Sequence, residues 1–413
     1  RSRFDLRSEE VQAMLSTLAS IEIEDVQHIK LCGDKNTYCG HPRQGGIFNF
    51  GQGELAVVHF HVPCTYQRLE DVRHDYGGYH SRSVVLLQRS LDGGQSWPKE
   101  NNVVIYNEAA PLEERRRFLF PSQSACKHAQ AGLDEREAID MSRPESIFYF
   151  GRTWAGETKE DGTPGLVCFS LRSADKGKTW EKVPTIISPP PGRDYCHKDN
   201  HPVVRMPDGS FLGAMTVFPP GAVALYGSDD DGLTWEYLAE IARDPTGLGR
   251  PTYAGLILLP NGRLQCYMLN IGGLRNAICM NYSDDGGYSW SPPRPVVRWG
   301  DSPWRTRRQK DRYGGWGFYR SPWPMLLRDG RLLVLFARRK PPYGIGGIVS
   351  EDQGATCSRE FIIRDDGSGP DLGYPVATEL DDGRIFTAYY FMVEDGNRFG
   401  GSRFIGGSFF RIK

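Results

Sequence analysis

Side chains that bind anions or move protons stand at equivalent positions before a series of similar turns in this chain. The turns are marked by Gly53, Gly209, Gly262, Gly330 and Gly383. The tenth residues before these glycines are Arg43, Asp199, Thr252, Arg320 and Gly373. The ninth residues before them are Gln44, Asn200, Tyr253, Ser321 and Tyr374. Arginine offers a planar fork of donors to a carboxylate or sulfate, so the set predicts a site for an anionic ligand.

Further arginines are expected near the same level. Arg143 and Arg250 each stand directly before a proline, and Arg338 follows an apolar run in LVLFARRK. Arginine stays charged at any relevant pH, so several around one pocket would hold an anion. The alternative is that each arginine pairs with a neighbouring acidic residue such as Glu145. We favour the anion-binding interpretation.

Histidines supply a second kind of chemistry. His61, His80 and His201, the last of them eight residues before Gly209, fall at strand ends where an imidazole could act as acid or base. The alternative for each is a hydrogen-bonded structural residue. His59 and His61 alternate along one strand, as a metal-binding pair would, but no third ligand is evident. We therefore predict no metal site and no cofactor.

An eight-residue repeat indicates the fold that positions these residues. The pattern Ser-x-Asp-x-Gly-x-Ser/Thr-Trp occurs at 90–97, 173–180, 228–235 and 283–290, with a degenerate copy at 350–357. Its Asp and Gly suit a tight turn, and its Trp can pack beneath the turn or against the next unit. We interpret this box as structural.

The chain is predicted to be an all-β, six-bladed β-propeller. A hairpin built around one of the five turn glycines accompanies the boxes, and a sixth unit at 143–154 has two strand-like runs without that turn. About four strands per unit in six units favours radial closure. Inner strand ends then converge on the axis, so the polar positions face one pocket. Val11, Met14, Leu15 and Leu18 predict a short N-terminal helix, giving a helical extension at 1–30 and a propeller at 31–413.

Composition excludes several classes of function. Lys plus Arg is 50 and Asp plus Glu is 51, so a general nucleic-acid binder is not expected. No run of 18 apolar residues occurs, so no membrane partner is expected. Cys32 and Cys39 could pair, but we expect buried free thiols, which favours a reducing compartment such as the cytoplasm. A secreted or periplasmic location and the oligomeric state stay open.

Boxes of this form in six β units resemble the sialidase (neuraminidase) superfamily over roughly residues 38–413. The resemblance implies that an arginine triad holds the substrate carboxylate, a Tyr paired with a Glu is the nucleophile, and an Asp is the acid/base. Tyr374 and Arg43 match the nucleophile and the first arginine, and Asp75 lies in the acid/base loop. His201 stands where the family has its Glu.

The leading hypothesis is an exo-acting, sialidase-like glycoside hydrolase on an anionic terminal sugar. The residues assigned to catalysis are Tyr374, Asp75, His80, Asp199 and His201. The residues assigned to substrate binding are Arg43, Arg143, Arg250, Tyr253, Arg320, Arg338 and His61. A polysaccharide lyase acting on uronates, with His and Tyr as base and acid, is one alternative. A non-catalytic carbohydrate-binding propeller is the other.

Overall fold

A computed structural model describes residues 20–121, 136–244, 247, 249–272, 277–298 and 319–413. Within these residues the chain forms six antiparallel sheets. Each sheet contacts the next one along the chain, and the last sheet contacts the first, so the ring is closed. This is the predicted six-bladed β-propeller.

The strands follow one another from sheet to sheet around the ring. The first strand, β1 (Ile23–Cys32), belongs to the last sheet. The first sheet contains β2 (Thr37–Gly40), β3 (Ile47–Asn49), β4 (Leu55–Pro63), β5 (Val84–Ser90) and β6 (Val103–Asn107). The second contains β7 (Ile147–Thr158), β8 (Pro164–Ser173) and β9 (Thr185–Ile187). The third contains β10 (Tyr195–His197), β11 (Val204–Arg205), β12 (Phe211–Phe218), β13 (Ala222–Ser228) and β14 (Glu236–Arg243).

The remaining three sheets have four strands each among the described residues. The fourth contains β15 (Gly249–Leu258), β16 (Leu264–Gly272), β17 (Ala277–Ser283) and β18 (Arg294–Arg298). The fifth contains β19 (Tyr319–Leu326), β20 (Leu332–Arg338), β21 (Tyr343–Ser350) and β22 (Phe361–Gly367). The sixth contains β23 (Gly373–Glu379), β24 (Ile385–Met392) and β25 (Arg403–Ile412), completed by β1. The described helices are α1 (Pro42–Gly45), α2 (Leu112–Leu119) and short 3₁₀ turns at Leu69–Asp71, His80–Arg82 and Lys99–Asn101.

The N-terminal strand closes the ring. β1 pairs antiparallel with β25, so the two ends of the described chain share one sheet. The predicted helical extension needs a correction here, because residues 23–30 lie in β1 and belong to the propeller. The predicted helix with Val11, Met14, Leu15 and Leu18 lies outside the described residues. None of the described helices is long and apolar enough to cross a membrane.

The two repeats form the predicted turns. All five turn glycines have positive φ, between 80° and 93°, which a side chain would disfavour. In the first box, Asp92 accepts hydrogen bonds from Ser90 (2.7 Å) and from the backbone N–H of Ser96 (2.9 Å). Trp97 stacks on Phe386 of the last sheet at 5.7 Å between ring centroids. The box therefore closes its own turn and packs one blade on another.

The second blade differs in detail from its prediction. Residues 147–158 form one long strand, β7, rather than two runs within 143–154. The turn follows it, where Gly162 has a φ of 79° in the sequence Glu160-Asp161-Gly162. This blade therefore has an Asp-Gly turn at 161–162, after the predicted unit at 143–154 rather than within it.

Candidate active site

Three inner strands begin with the same backbone distortion. Tyr253, Ser321 and Tyr374 have φ values of 55°, 49° and 55°. The strand pairing shifts register directly beside each of them. A non-glycine residue at positive φ costs of order 1–3 kcal/mol, and such residues concentrate at functional sites. Bulges of this kind re-aim side chains, so the repeat positions share a geometry as well as a spacing.

These strand entrances surround one cavity of about 230 Å³. Its lining residues are His41, Gln44, His74, His80, Arg152, Tyr195, His197, Phe218, Arg250, Thr252, Tyr253, Ile271, Arg320 and Tyr374. Five of the predicted site residues are therefore brought together, namely His80, Arg250, Tyr253, Arg320 and Tyr374. Among the described lining residues there are three arginines and four histidines, and no Asp or Glu. The cavity is thus suited to an anion.

Two tyrosines meet in the cavity wall. The hydroxyl oxygens of Tyr253 and Tyr374 lie 2.7 Å apart, in hydrogen-bond contact. The Arg320 guanidinium lies 5.4 Å from the Tyr253 ring centroid, and that of Arg339 lies 5.7 Å from the Tyr374 ring centroid. Burial raises the pKa of the Tyr374 phenol, and the neighbouring Tyr253 adds to this effect. Tyr374 is therefore a neutral hydroxyl at physiological pH, able to donate a proton.

The buried histidines are neutral as well. Burial lowers the pKa of His197 to about 3, and the charge of Arg152 adds to this effect. Burial also lowers the pKa of His41 and of His80 well below the usual value. The His41 ring lies 4.4 Å from that of Tyr374, so a neutral imidazole and a neutral phenol are adjacent. This combination can accept one proton and donate another.

His74 is held by a partly buried carboxylate. Its Nε2 lies 3.1 Å from Oδ1 of Asp371, which also accepts a bond from the Tyr390 hydroxyl at 2.8 Å. Arg403 Nε donates to the other Asp371 oxygen at 2.9 Å. Burial alone would raise the pKa of Asp371, but the charges of His74 and Arg403 hold it well below the usual value. Asp371 is therefore a fixed negative charge that orients His74.

Comparisons with known proteins agree with this architecture. The BNR/Asp-box repeat model matches residues 282–292, and no curated protein matches the chain. A protein of unknown function from Dyadobacter fermentans is 20% identical, with a TM-score of 0.69, over 95% of this chain and 99% of that one. The Hadza microbial sialidase Hz136 is 15% identical, with a TM-score of 0.55, over 91% of this chain and 65% of that one. The intramolecular trans-sialidase from Ruminococcus gnavus is 13% identical, with a TM-score of 0.51, over 89% and 94%.

The chain has the fold of the sialidase superfamily. In this sialidase-like propeller, Tyr374 begins the inner strand β23 and lines the cavity. Its hydroxyl partner among the described residues is Tyr253, not a glutamate.

Three predicted residues lie buried outside the cavity lining. Arg43 donates to the backbone carbonyls of Tyr253 (3.1 Å) and Ala254 (2.8 Å), so it links the first blade to the fourth across the ring. His201 is hydrogen-bonded through Nε2 to a backbone carbonyl at 2.8 Å. Asp199 is buried, and burial raises the pKa of its carboxyl. All three groups are buried, and none of them belongs to the described lining of the cavity.

Four predicted residues lie elsewhere. The Asp75 side chain is 55% exposed and accepts a bond from Arg73 at 2.8 Å. Arg143 is 65% exposed and pairs with acidic neighbours on the surface. This is the alternative to anion binding that was considered for the arginines. Arg338 pairs with Glu360 and donates to a backbone carbonyl at 3.1 Å. His61 Nδ1 lies 3.4 Å from Sγ of Cys39.

The sequence interpretation missed part of the lining. His41 and His197 were not singled out, yet each lies twelve residues before a turn glycine, at Gly53 and Gly209. The twelfth residue before Gly262 is Arg250, and before Gly383 it is Asp371. Side chains two residues apart on a strand share a face. The residues twelve before each turn glycine could therefore have been predicted to share the pocket with those ten before it. His74 and Arg152 lie outside this spacing.

Proposed function

We propose that this propeller cleaves glycans at a sugar that carries a carboxylate, by β-elimination. The observation that carries the proposal is the composition of the cavity. Among the described residues its lining has arginines, histidines and tyrosines but no carboxylate. Glycoside hydrolysis ordinarily uses a pair of carboxyl groups, whereas elimination next to a carboxylate needs a cation, a base and an acid.

The arginines supply the cation. Arg320 is fully buried and lines the cavity together with Arg250 and Arg152. A guanidinium can hold a sugar carboxylate through two parallel hydrogen bonds. Neutralising that carboxylate makes the proton on the adjacent C5 carbon easier to remove, because the charge that develops on removal is stabilised.

His74 and Tyr374 are the groups best placed to move protons. The Asp371 carboxylate positions the His74 imidazole at 3.1 Å, so His74 is assigned as the base that takes the C5 proton. The electron pair then forms the C4–C5 double bond, and the bond from C4 to the leaving oxygen breaks. The neutral Tyr374 hydroxyl donates its proton to that oxygen. Tyr253, bonded to Tyr374, can restore the proton through the Tyr–Tyr contact.

Product analysis on uronate oligosaccharides tests the reaction class. We expect ultraviolet absorbance from the new C4–C5 double bond, with one unsaturated end formed per cleavage. Tyr374→Phe should lower kcat by about 10²- to 10⁴-fold while glycan binding is retained. Tyr288→Phe is the matched control, because Tyr288 is 83% exposed and should leave turnover unchanged. Absence of turnover on every anionic glycan tested, with binding intact, would instead indicate a carbohydrate-binding propeller.

A second candidate is the sialidase-like hydrolase, exo-acting on an anionic terminal sugar. It is favoured by the position of Tyr374 at the start of the inner strand of the last blade, where its hydroxyl contacts Tyr253, whose ring lies 5.4 Å from the Arg320 guanidinium. A tyrosine nucleophile suits an anionic substrate but needs a base that lowers its pKa, and burial raises it instead. Turnover of sialosides without the ultraviolet signal would support this candidate and overturn elimination.

A further inference from the structure

Two cysteines and two histidines meet where the propeller ring closes. Cys32 ends β1 in the last blade, whereas Cys39 lies on β2 and His59 on β4 of the first blade. The Cys32 sulfur, the Cys39 sulfur and one His59 nitrogen all lie within 4.8 Å of one another. The His59 Nε2 to Cys32 Sγ distance is 3.4 Å. His61, two residues further along β4, places Nδ1 3.4 Å from Cys39 Sγ.

We propose that Cys32, Cys39, His59 and His61 bind a zinc ion that fastens the first blade to the last. Zinc takes thiolate sulfurs at about 2.3 Å and imidazole nitrogens at about 2.0 Å in a tetrahedron. Ligand atoms of such a site stand roughly 3.3–3.8 Å apart. The two sulfur–nitrogen distances of 3.4 Å fall within that range, whereas His61 lies outside the group of three ligand atoms and must move closer to complete the tetrahedron.

The surroundings of His59 suit a metal ligand. Its Nδ1 lies 3.1 Å from the backbone carbonyl of Phe60, the kind of partner that fixes the tautomer of a metal-bound imidazole. That bond leaves Nε2 as the nitrogen directed at Cys32. Gln88 Oε1 also lies 3.3 Å from Nε2, so in the metal-free protein the imidazole proton can lie on Nε2, and zinc binding there requires the tautomer with the proton on Nδ1.

The site is closed on one side and open on the other. Cys39 and His59 are buried, at 0% and 1% exposure, whereas Cys32 and His61 are partly exposed. An ion can therefore enter past His61 and become enclosed. The proposal is independent of the glycan cavity, because none of the four residues belongs to its lining.

The position of the site predicts its effect. The chain passes from β1 in the last blade to β2 in the first blade through the short connection at 33–36, directly beside the proposed site. β1 is held to the last blade by its pairing with β25, and Cys32 at its end reaches the first blade. An ion shared by β1 and the first blade stabilises the folded protein by mass action, because the unfolded chain lacks the assembled ligand set.

Metal content and cobalt substitution test the proposal on the full chain. Protein purified without chelators should contain one zinc per chain. After zinc removal, Co²⁺ should give sulfur-to-cobalt charge-transfer bands and the visible bands of tetrahedral coordination. Removal of zinc should lower the Tm by about 5 °C or more, and added Zn²⁺ should restore it.

Variants identify the ligands. Cys39→Ser should abolish the cobalt bands and remove the effect of chelator on the Tm. Cys168→Ser is the matched control, because Cys168 is also a buried free cysteine but lies on β8, away from both histidines. If Cys39→Ser does not fold, the wild-type cobalt spectrum decides by itself. A Cys32–Cys39 disulfide in thiol titration, or reduced thiols with no cobalt bands and a Tm insensitive to chelator, would overturn the proposal.

Discussion

The two ends of a blade follow the same repeat but differ in how their polar side chains are satisfied. At the box end, each aspartate is bonded within its own turn, and the pattern is the same from Asp92 to Asp352. At the strand entrances, the side chains change from blade to blade, and their partners come from other blades. Tyr374 of the last blade, for instance, meets Tyr253 of the fourth.

This difference separates structure from function within one repeat. A residue that recurs with the same identity and bonds its own turn contributes mainly to folding. A position that recurs while its identity changes, and that projects into a shared cavity, is available for ligand chemistry. The two ends should therefore respond to mutation in opposite ways.

The largest expected effect is at a strand entrance. Arg320→Ala removes a buried cation from the cavity and should lower kcat/KM on an anionic glycan by about 100-fold or more, because charged hydrogen bonds to the substrate are lost. Steady-state kinetics measures this loss. Arg143→Ala is the matched control, since Arg143 is exposed on the surface. Equal losses in both variants would contradict the assignment of the anion site.

The fold could be predicted from the sequence far more completely than the site. Each blade repeats its turns locally, so Asp-Gly pairs and boxes report strands wherever they occur. The site is assembled from different blades, and only positions in register with a turn glycine, such as Arg320 and Tyr374, could be placed in advance. Asp75 and His74 lie on a connection without a repeat. Counting residues back from a turn glycine therefore does not indicate which of the two side chains reaches the cavity.

Long-range closure is the other part that local patterns do not contain. Cys32 and His59 are 27 residues apart and on different blades, yet their side chains are in contact. No spacing rule links them, because the contact exists only when the N-terminal strand joins the last blade. For the same reason, the sequence assigns residues 23–30 to an N-terminal extension, and only the pairing with β25 shows that they belong to the last blade.

A smaller effect, on stability rather than turnover, is expected at the box end. Asp175 accepts bonds from Ser173 (2.8 Å), from Thr179 N–H (2.9 Å) and from the Thr179 hydroxyl (2.6 Å). Asp175→Ala should lower the free energy of unfolding by about 1–2 kcal/mol and leave kcat/KM unchanged. Denaturant unfolding measures the first, and Lys178→Ala, an exposed change in the same turn, is the control.

Acid provides a second check on the same variant. Burial alone would raise the pKa of Asp175, but the bonds from Thr179 and Ser173 hold it below the usual value. A lowered carboxyl pKa contributes stability above the unfolded value of about 3.9, and that contribution is lost as the pH falls through the folded value. The difference in the free energy of unfolding between wild type and Asp175→Ala should therefore shrink as the pH falls below about 4. A constant difference would show that packing, not the carboxylate, accounts for the effect.

The smallest expected effect is a gain at a strand entrance. Ser321 has a φ of 49°, and its buried hydroxyl has no hydrogen-bond partner among the described residues. Ser321→Gly relieves the backbone strain and removes that hydroxyl, while the greater freedom of glycine in the unfolded chain offsets part of the gain. We expect the free energy of unfolding to rise by up to about 1 kcal/mol, with kcat/KM unchanged, because Ser321 is outside the described lining. In a box turn the residue at positive φ is already a glycine, Gly93 with a φ of 71°. No substitution by glycine can therefore raise the stability there. A loss of stability in Ser321→Gly would mean that contacts of the Ser321 side chain stabilise the strand entrance by more than its backbone strain costs.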